Sequence, residues 1–354
     1  TVKLIIKQKH DLTKIKLFSM PVSIRIDDVL QTIWVDEKEM IFELPVDTRP
    51  KMVIFNSGMR IPCKVNFNKP LSEWITQLEK APHILDRVAA INVLKKKRGR
   101  RNVENALLKA IEKDPFWGVR KEAVQGLASL KSKQHSDMLM NLSEGQDNRV
   151  RRAIWNALRN YKNNDDVSTF LQNVVSTDSK YYSVSDAFRA LVAVDTAAAR
   201  KKVDALLVRD SHQDVIRRAA ISYFGSVKND KNYDRLKALA SYGGTTWDAR
   251  PEAVSQLSRY AKEKRETIDI FVNLLEDRSR DVRRRAIYAL ASHGDKTHLG
   301  PLDEVMFKDP ALGRDIRYAK KRILNPPKKP TKTPVEKKLE EANRKLDEIK
   351  RLLD

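Results

Sequence analysis

Side chains able to do chemistry are scattered through this 354-residue sequence rather than grouped at a diagnostic spacing. The six histidines are His10, His83, His135, His212, His293 and His298. No His-Glu-x-x-His occurs, and His293 and His298 stand five apart, the wrong interval for two metal ligands on one helical face. Cys63 is the single cysteine, so an internal disulfide and Cys-rich zinc modules are excluded. It is expected to be a strand residue rather than a nucleophile. There is no glycine-rich phosphate loop and no Gly-x-Ser-x-Gly; Gly243-Gly244 reads as a turn. No catalytic constellation can be assembled, and the chemistry left to consider is cationic.

Lys and Arg number 69 against 47 Asp and Glu, a net charge of +22. An excess this large raises the question of an acidic partner. Residues 1–70 carry +4 of it and residues 326–354 carry +3, which leaves +15 for residues 71–325. There the cations recur in clusters: Arg120-Lys121, Arg151-Arg152, Arg217-Arg218 and Arg283-Arg284-Arg285. The first of each is expected to bond to caps and carbonyls of adjacent repeats. The next residue, Lys121, Arg152, Arg218 or Arg284, is a candidate for a basic track along which phosphates could bind. Lys95, Lys96, Lys97, Arg98, Arg100 and Arg101 form a candidate basic cluster in a turn, and the same run resembles a nuclear-import signal.

These cations ride on a repeat. Arg87 is followed by Ala90 and Leu94, Arg120 by Ala123 and Leu127, and Arg151 by Ile154 and Leu158. The pattern returns at Arg217, Arg250 and Arg283, with degenerate copies at Ser185 and Arg317, so that successive anchors lie 31 to 34 residues apart. Positions +3 and +7 share one helical face and should pack inward. A fixed period with helical internal spacing indicates an α-solenoid of about eight repeats. A first helix is visible before each anchor helix, as at Asn105–Ile111, Thr169–Val175 and Leu302–Phe307, and Asp114, Asp147, Asp210, Asp277 and Asp309 suit caps. The Asp…Val-Arg-x-x-Ala-x-x-x-Leu pattern over residues 82–325 resembles HEAT-like repeats.

The flanks differ. Residues 1–70 hold six short apolar or alternating runs, from Val2–Gln8 to Cys63–Phe67, separated by turn residues, which predicts a small antiparallel β-sandwich. Residues 71–325 are then the solenoid, 326–334 a Pro/Lys linker, and 335–354 an amphipathic helix whose Val335, Leu339, Ala342, Leu346, Ile349 and Leu353 follow a heptad step. No run approaches the roughly 20 apolar residues needed to span a bilayer. The chain opens at Thr1 directly in a strand, which is expected of a fragment of a longer protein or a processed chain.

Residues 31–67, Gln-Thr-Ile-Trp-Val through Cys-Lys-Val-Asn-Phe, with the strands at Val2–Gln8 and Pro21–Ile26, resemble the β-sandwich of aminopeptidase N-like zinc metallopeptidases. In that family the sandwich follows a catalytic domain and precedes a helical, solenoid-like domain. The resemblance implies a non-catalytic C-terminal region whose solenoid walls the active-site chamber and limits access to peptide N-termini. Its partners would be the catalytic domain of the same polypeptide and the peptides of the parent enzyme. No cofactor is expected in this chain, because the zinc would belong to the missing catalytic domain, whose His-Glu-x-x-His and Gly-x-Met-Glu-Asn motifs are absent here. A stand-alone scaffold for a protein partner and a basic solenoid for nucleic-acid backbone stay open as alternatives.

Overall fold

The structure, a computed structural model, describes residues 1–97, 99–128 and 133–326. The linker from 327 onward, the heptad helix at 335–354 and Arg98 lie outside the described residues. Five strands come first: β1 Val2–Lys7, β2 Met20–Ile26, β3 Val29–Val35, β4 Glu39–Leu44 and β5 Val53–Phe55. They form two antiparallel sheets, β1-β4 and β3-β2-β5. Strand alternation explains which side chains meet. Leu4 and Ile6 of β1 and Leu44 of β4 pack with Val22, Ile24 and Ile26 of β2, Ile33 and Val35 of β3 and Val53 of β5 in one core between the sheets. The β2–β3 hairpin turns at Asp27, whose φ of +46° is the left-handed geometry that a tight turn needs. The Asp27 carboxylate accepts from Lys51 N and Met52 N, which fixes the approach to β5.

The sixth expected strand is not formed. Cys63–Phe67 runs as irregular chain, and Cys63 is exposed rather than a strand residue. This segment lacks a ladder partner among the described residues. Near Cys63 the chain is held by Asn56, whose amide nitrogen donates to the Ile61 carbonyl at 2.7 Å, and by Ile61 and Phe67 packing against the core.

Helices follow in pairs: α1 Leu71–Lys80, α2 Ile84–Leu94, α3 Arg101–Lys113, α4 Trp117–Leu127, α5 Lys133–Asn141, α6 Asn148–Leu158, α7 Asp165–Thr177, α8 Tyr181–Val194, α9 Thr196–Val208 and α10 Val215–Ser226. The chain continues with α11 Asp230–Ala240, α12 Arg250–Leu257, α13 Thr267–Asn273, α14 Arg280–His293, α15 Leu299–Lys308 and α16 Gly313–Leu324. Two compact units divide the chain, residues 1–223 and 224–354. Within the first, the even-numbered helices α2, α4, α6 and α8 stack in sequence, and the odd-numbered α1 and α3, then α5, α7 and α9, stack beside them. Within the second, α12, α14 and α16 stack, each against its own first helix. The predicted +3 and +7 residues are the reason: Ala90, Leu94, Ala123, Leu127, Ile154 and Leu158 are all buried. Small residues at +3 let the helix backbones approach.

The sandwich joins the helices through polar groups that leave water together. Asp86 of α2 is 2% exposed and accepts from Ser57 Oγ at 2.7 Å and Gly58 N at 2.9 Å. Gly58 has φ +78° and its Cα faces the His83 ring, so a side chain there would be strained. Lys69 Nζ donates to the Val53 carbonyl and to Gln77 Oε1, both at 2.6 Å, and lies 4.2 Å from the Trp74 ring centroid. Burial lowers its pKa to about 8, against the raising effect of Glu73 and Asp86.

Candidate functional site: the cationic groove of the repeats

The anchor arginines from Arg87 to Arg283 end in carboxylates, backbone carbonyls or both. Arg87 Nε and Nη2 grip Asp114 at 2.7 and 3.1 Å, while Nη1 takes the Ala81 and Pro82 carbonyls. Arg151 Nη2 donates to Asp178 Oδ2 at 2.6 Å, and Arg250 pairs with Asp277. Arg283 donates to Asp309 Oδ2 and, through Nη1, to the Asp277 carbonyl, both at 2.6 Å. Arg217 bonds Asp210, Asp214 and the Leu207 carbonyl. The acceptors double as turn caps: Asp114 receives Phe116 N and Asp178 receives Lys180 N. Burial pushes the Asp178 pKa up, but the bonds from Ser183, Lys180 and Arg151 outweigh it and leave it lowered. Arg87, Arg151, Arg250 and Arg283 thus tie one repeat to the next, whereas Arg217 binds within its own.

One residue further along, the helix turn of about 100° puts the side chain on a different face. Lys121 and Arg152 line one groove of about 460 Å³ on α4, α6 and α8, with Trp117, Gln125, Arg149 and Asn156. Arg149 lies with its guanidinium carbon 3.7 Å from the Trp117 ring centroid and donates to Asp147 at 2.8 to 2.9 Å. Those bonds hold the Asp147 carboxyl down to a pKa of about 2. Arg152 Nε donates to Asp186 Oδ2 at 2.6 Å, and its guanidinium sits 4.9 Å from the Tyr182 ring. Lys121 makes no ion pair among the described residues and is the groove's free cation there.

The other two track residues are also engaged. Arg218, in the same unit, has a partner of its own. Arg284, in the second unit, pairs with Asp315 at 3.2 Å and Asp281 at 2.6 Å, and Tyr288 Oη donates to Asp315 at 2.7 Å. The basic cluster is split between elements: Lys95, Lys96 and Lys97 form a short helical turn after α2, Gly99 has φ +85°, Arg100 precedes α3 and Arg101 starts it. Lys96, Lys97, Arg100 and Arg101 are exposed.

Sequence reasoning misses Trp117, Arg149 and Asp186 as groove residues. Trp117-x-x-x-Lys121-x-x-x-Gln125 was available as an i, i+4, i+8 stripe in α4; Asp186, contributed by α8, had no such signal.

Among the described residues, no group of three or more His, Cys, Asp or Glu could hold a metal ion. No helix there is long and apolar enough to cross a membrane.

A family model described as HEAT repeats matches residues 104–191. With the stacked helix pairs, this makes the fold mainly helical and HEAT-like, with a small antiparallel sheet region at its start. No curated protein matches the chain. Among solved structures the chain is similar to Legionella pneumophila aminopeptidase A in complex with aspartic acid, at 14% identity and a TM-score of 0.44, over 84% of this chain and 40% of that one. It is similar to YibA of Escherichia coli at 17% identity and a TM-score of 0.43, over 66% of this chain and 96% of that one. The CpcE–CpcF complex of phycocyanin lyase from Nostoc sp. PCC7120 is similar at 17% identity and a TM-score of 0.39, over 74% of this chain and 97% of that one. The chain spans 40% of the length of the Legionella aminopeptidase.

Proposed function

We propose that this chain is a non-catalytic sandwich-plus-solenoid region of an aminopeptidase N-like zinc metallopeptidase, in which the repeats wall the active-site chamber and limit access to peptide N-termini. The observation that supports it most is the junction. Asp86, Ser57, Gly58, Lys69 and Gln77 fasten a β-sandwich to the first helix pair through buried polar bonds, within one compact unit. The order sandwich then repeats, and the residue pattern at 31–67, fit the same reading. Hydrolysis in the parent would use a zinc ion bound elsewhere in the polypeptide, and this chain would supply none of its ligands. The test is the coding sequence upstream of Thr1. A His-Glu-x-x-His with a downstream Glu supports the reading, and an upstream region without a zinc-binding domain overturns it.

The groove favours a second reading, a scaffold for a protein partner. Lys121, Trp117 and the Gln125 side chain offer a cation, a ring and an amide on one surface. The ion pairs of Arg152 and Arg284 weigh against a phosphate track, because each cation already faces a carboxylate. Duplex DNA binding that is strong at low salt and falls steeply with salt would reverse that ordering.

A further inference from the structure

Three repeats treat their anchor arginine alike. Arg87, Arg120 and Arg283 each donate through Nη1 to the carbonyls six and five residues earlier. The residue six earlier, Ala81, Asp114 or Asp277, ends its helix in extended geometry with φ of −61°, −64° and −64°. Two other anchors, Arg217 and Arg250, donate through Nε to the carbonyls of Leu207 and Ala240. In all five, a guanidinium N–H donates to a main-chain carbonyl at the end of its own repeat's first helix.

Arg151 departs from this. The residue six earlier is Gly145, at φ +66°, which turns the chain away from the shared geometry. The last carbonyls of α5 are taken locally instead: Ser143 N and Oγ both donate to the Met140 carbonyl, and Leu142 N donates to that of Met138. Arg151 donates only through Nη2, to Asp178, so its Nε and Nη1 meet no acceptor among the described residues. The space beside it opens accordingly. The cavity at Arg87 is about 240 Å³, whereas the one at Arg151 is about 730 Å³. Its lining pairs polar Asn141, Ser143 and Asn173 with the tilted Trp155–Phe170 rings, whose centroids are 5.5 Å apart.

We propose that this cavity is a peptide-binding site, in which main-chain carbonyls of a neutral or cationic polypeptide segment accept from Arg151 Nε and Nη1. The donors are those that take carbonyls in the other repeats. Glu144 and Asp178 line the same cavity, so two carboxylates face one guanidinium and an anionic ligand enters against net negative charge. The inference does not depend on the aminopeptidase reading.

The test uses the full chain with ¹⁵N-labelled arginine side chains and backbone. The probes are N-acetyl-alanyl-alanine N-methylamide, which carries only main-chain acceptors, and acetate and inorganic phosphate as anions. Arg151→Lys assigns the Arg151 signal and keeps a cation opposite Asp178; Asn173→Ala tests the wall without touching the ion pair. The expected result is a saturable shift of the Arg151 Nε–H and Gly145 amide signals with the capped dipeptide. In Arg151→Lys the Gly145 shift should require on the order of tenfold more peptide, the scale of a lost bond to a charged donor, and Asn173→Ala should weaken it less. An Arg151 signal unmoved by the dipeptide, or tighter binding of acetate or phosphate, overturns the proposal.

Discussion

Cations at the anchor position and cations one residue further along meet different surroundings. The Arg87 side chain is 9% exposed against Asp114 at 6%, and each of its three guanidinium nitrogens donates to a carboxylate or a carbonyl. In the groove, Arg152 is 35% exposed against Asp186 at 18%, and Lys121 has no ion pair among the described residues. Position relative to the stacking face decides the role. Arg151 apart, the first position is taken up by carboxylates and carbonyls and becomes part of the frame; the next turns out over the even-numbered helices and lines the groove. A cation count treats the two alike, so a net charge of +22 overstates what is available for binding.

The comparison can be broken at several points. The largest effect is expected for Asp114→Ala, which strands a buried guanidinium and should lower unfolding free energy by about 3–5 kcal/mol in denaturant titrations. Asp86→Ala, which frees Ser57 and Gly58 at the sandwich junction, should cost about 2–3 kcal/mol, with the β-sheet signal lost first. Lys69 sharpens the junction by pH. Its folded pKa lies near 8, below the ordinary 10.5, so between those values the unfolded chain binds the extra proton. Stability contributed by this group should therefore rise as pH goes from about 8 to 10.5, and Lys69→Met should flatten that rise in thermal scans. Gly145→Ala has room for its Cβ but must keep φ +66°, and should cost about 1 kcal/mol. Smallest is Lys121→Ala, expected to change stability by less than about 0.5 kcal/mol while altering any ligand affinity of the groove.

The repeats were legible because a period of 31 to 34 residues multiplies one weak signal many times. The alternation at Leu4, Ile6, Val22, Ile24 and Ile26 exposed the sandwich for the same reason. Cys63–Phe67 misled, since a short apolar run says nothing about whether a ladder partner is in reach. The structural role of the anchor arginines was anticipated, but their partners were not. Arg87 to Asp114 and Arg151 to Asp178 are both 27 residues apart, a separation fixed by how repeats stack rather than by any local pattern. The cavity at Arg151 was invisible because it accompanies a left-handed turn at Gly145 that no local pattern announced. Lys69 carried no sequence signal either, since its lowered pKa comes from burial that only the folded chain supplies.

The central claim is that buried anchor pairs hold the frame and groove pairs do not. Double-mutant cycles on Arg87–Asp114 and Arg152–Asp186, read by denaturant unfolding, test it directly. The account predicts a coupling of several kcal/mol for the first pair and about 1 kcal/mol or less for the second. Equal couplings, or a larger one in the groove, would contradict it.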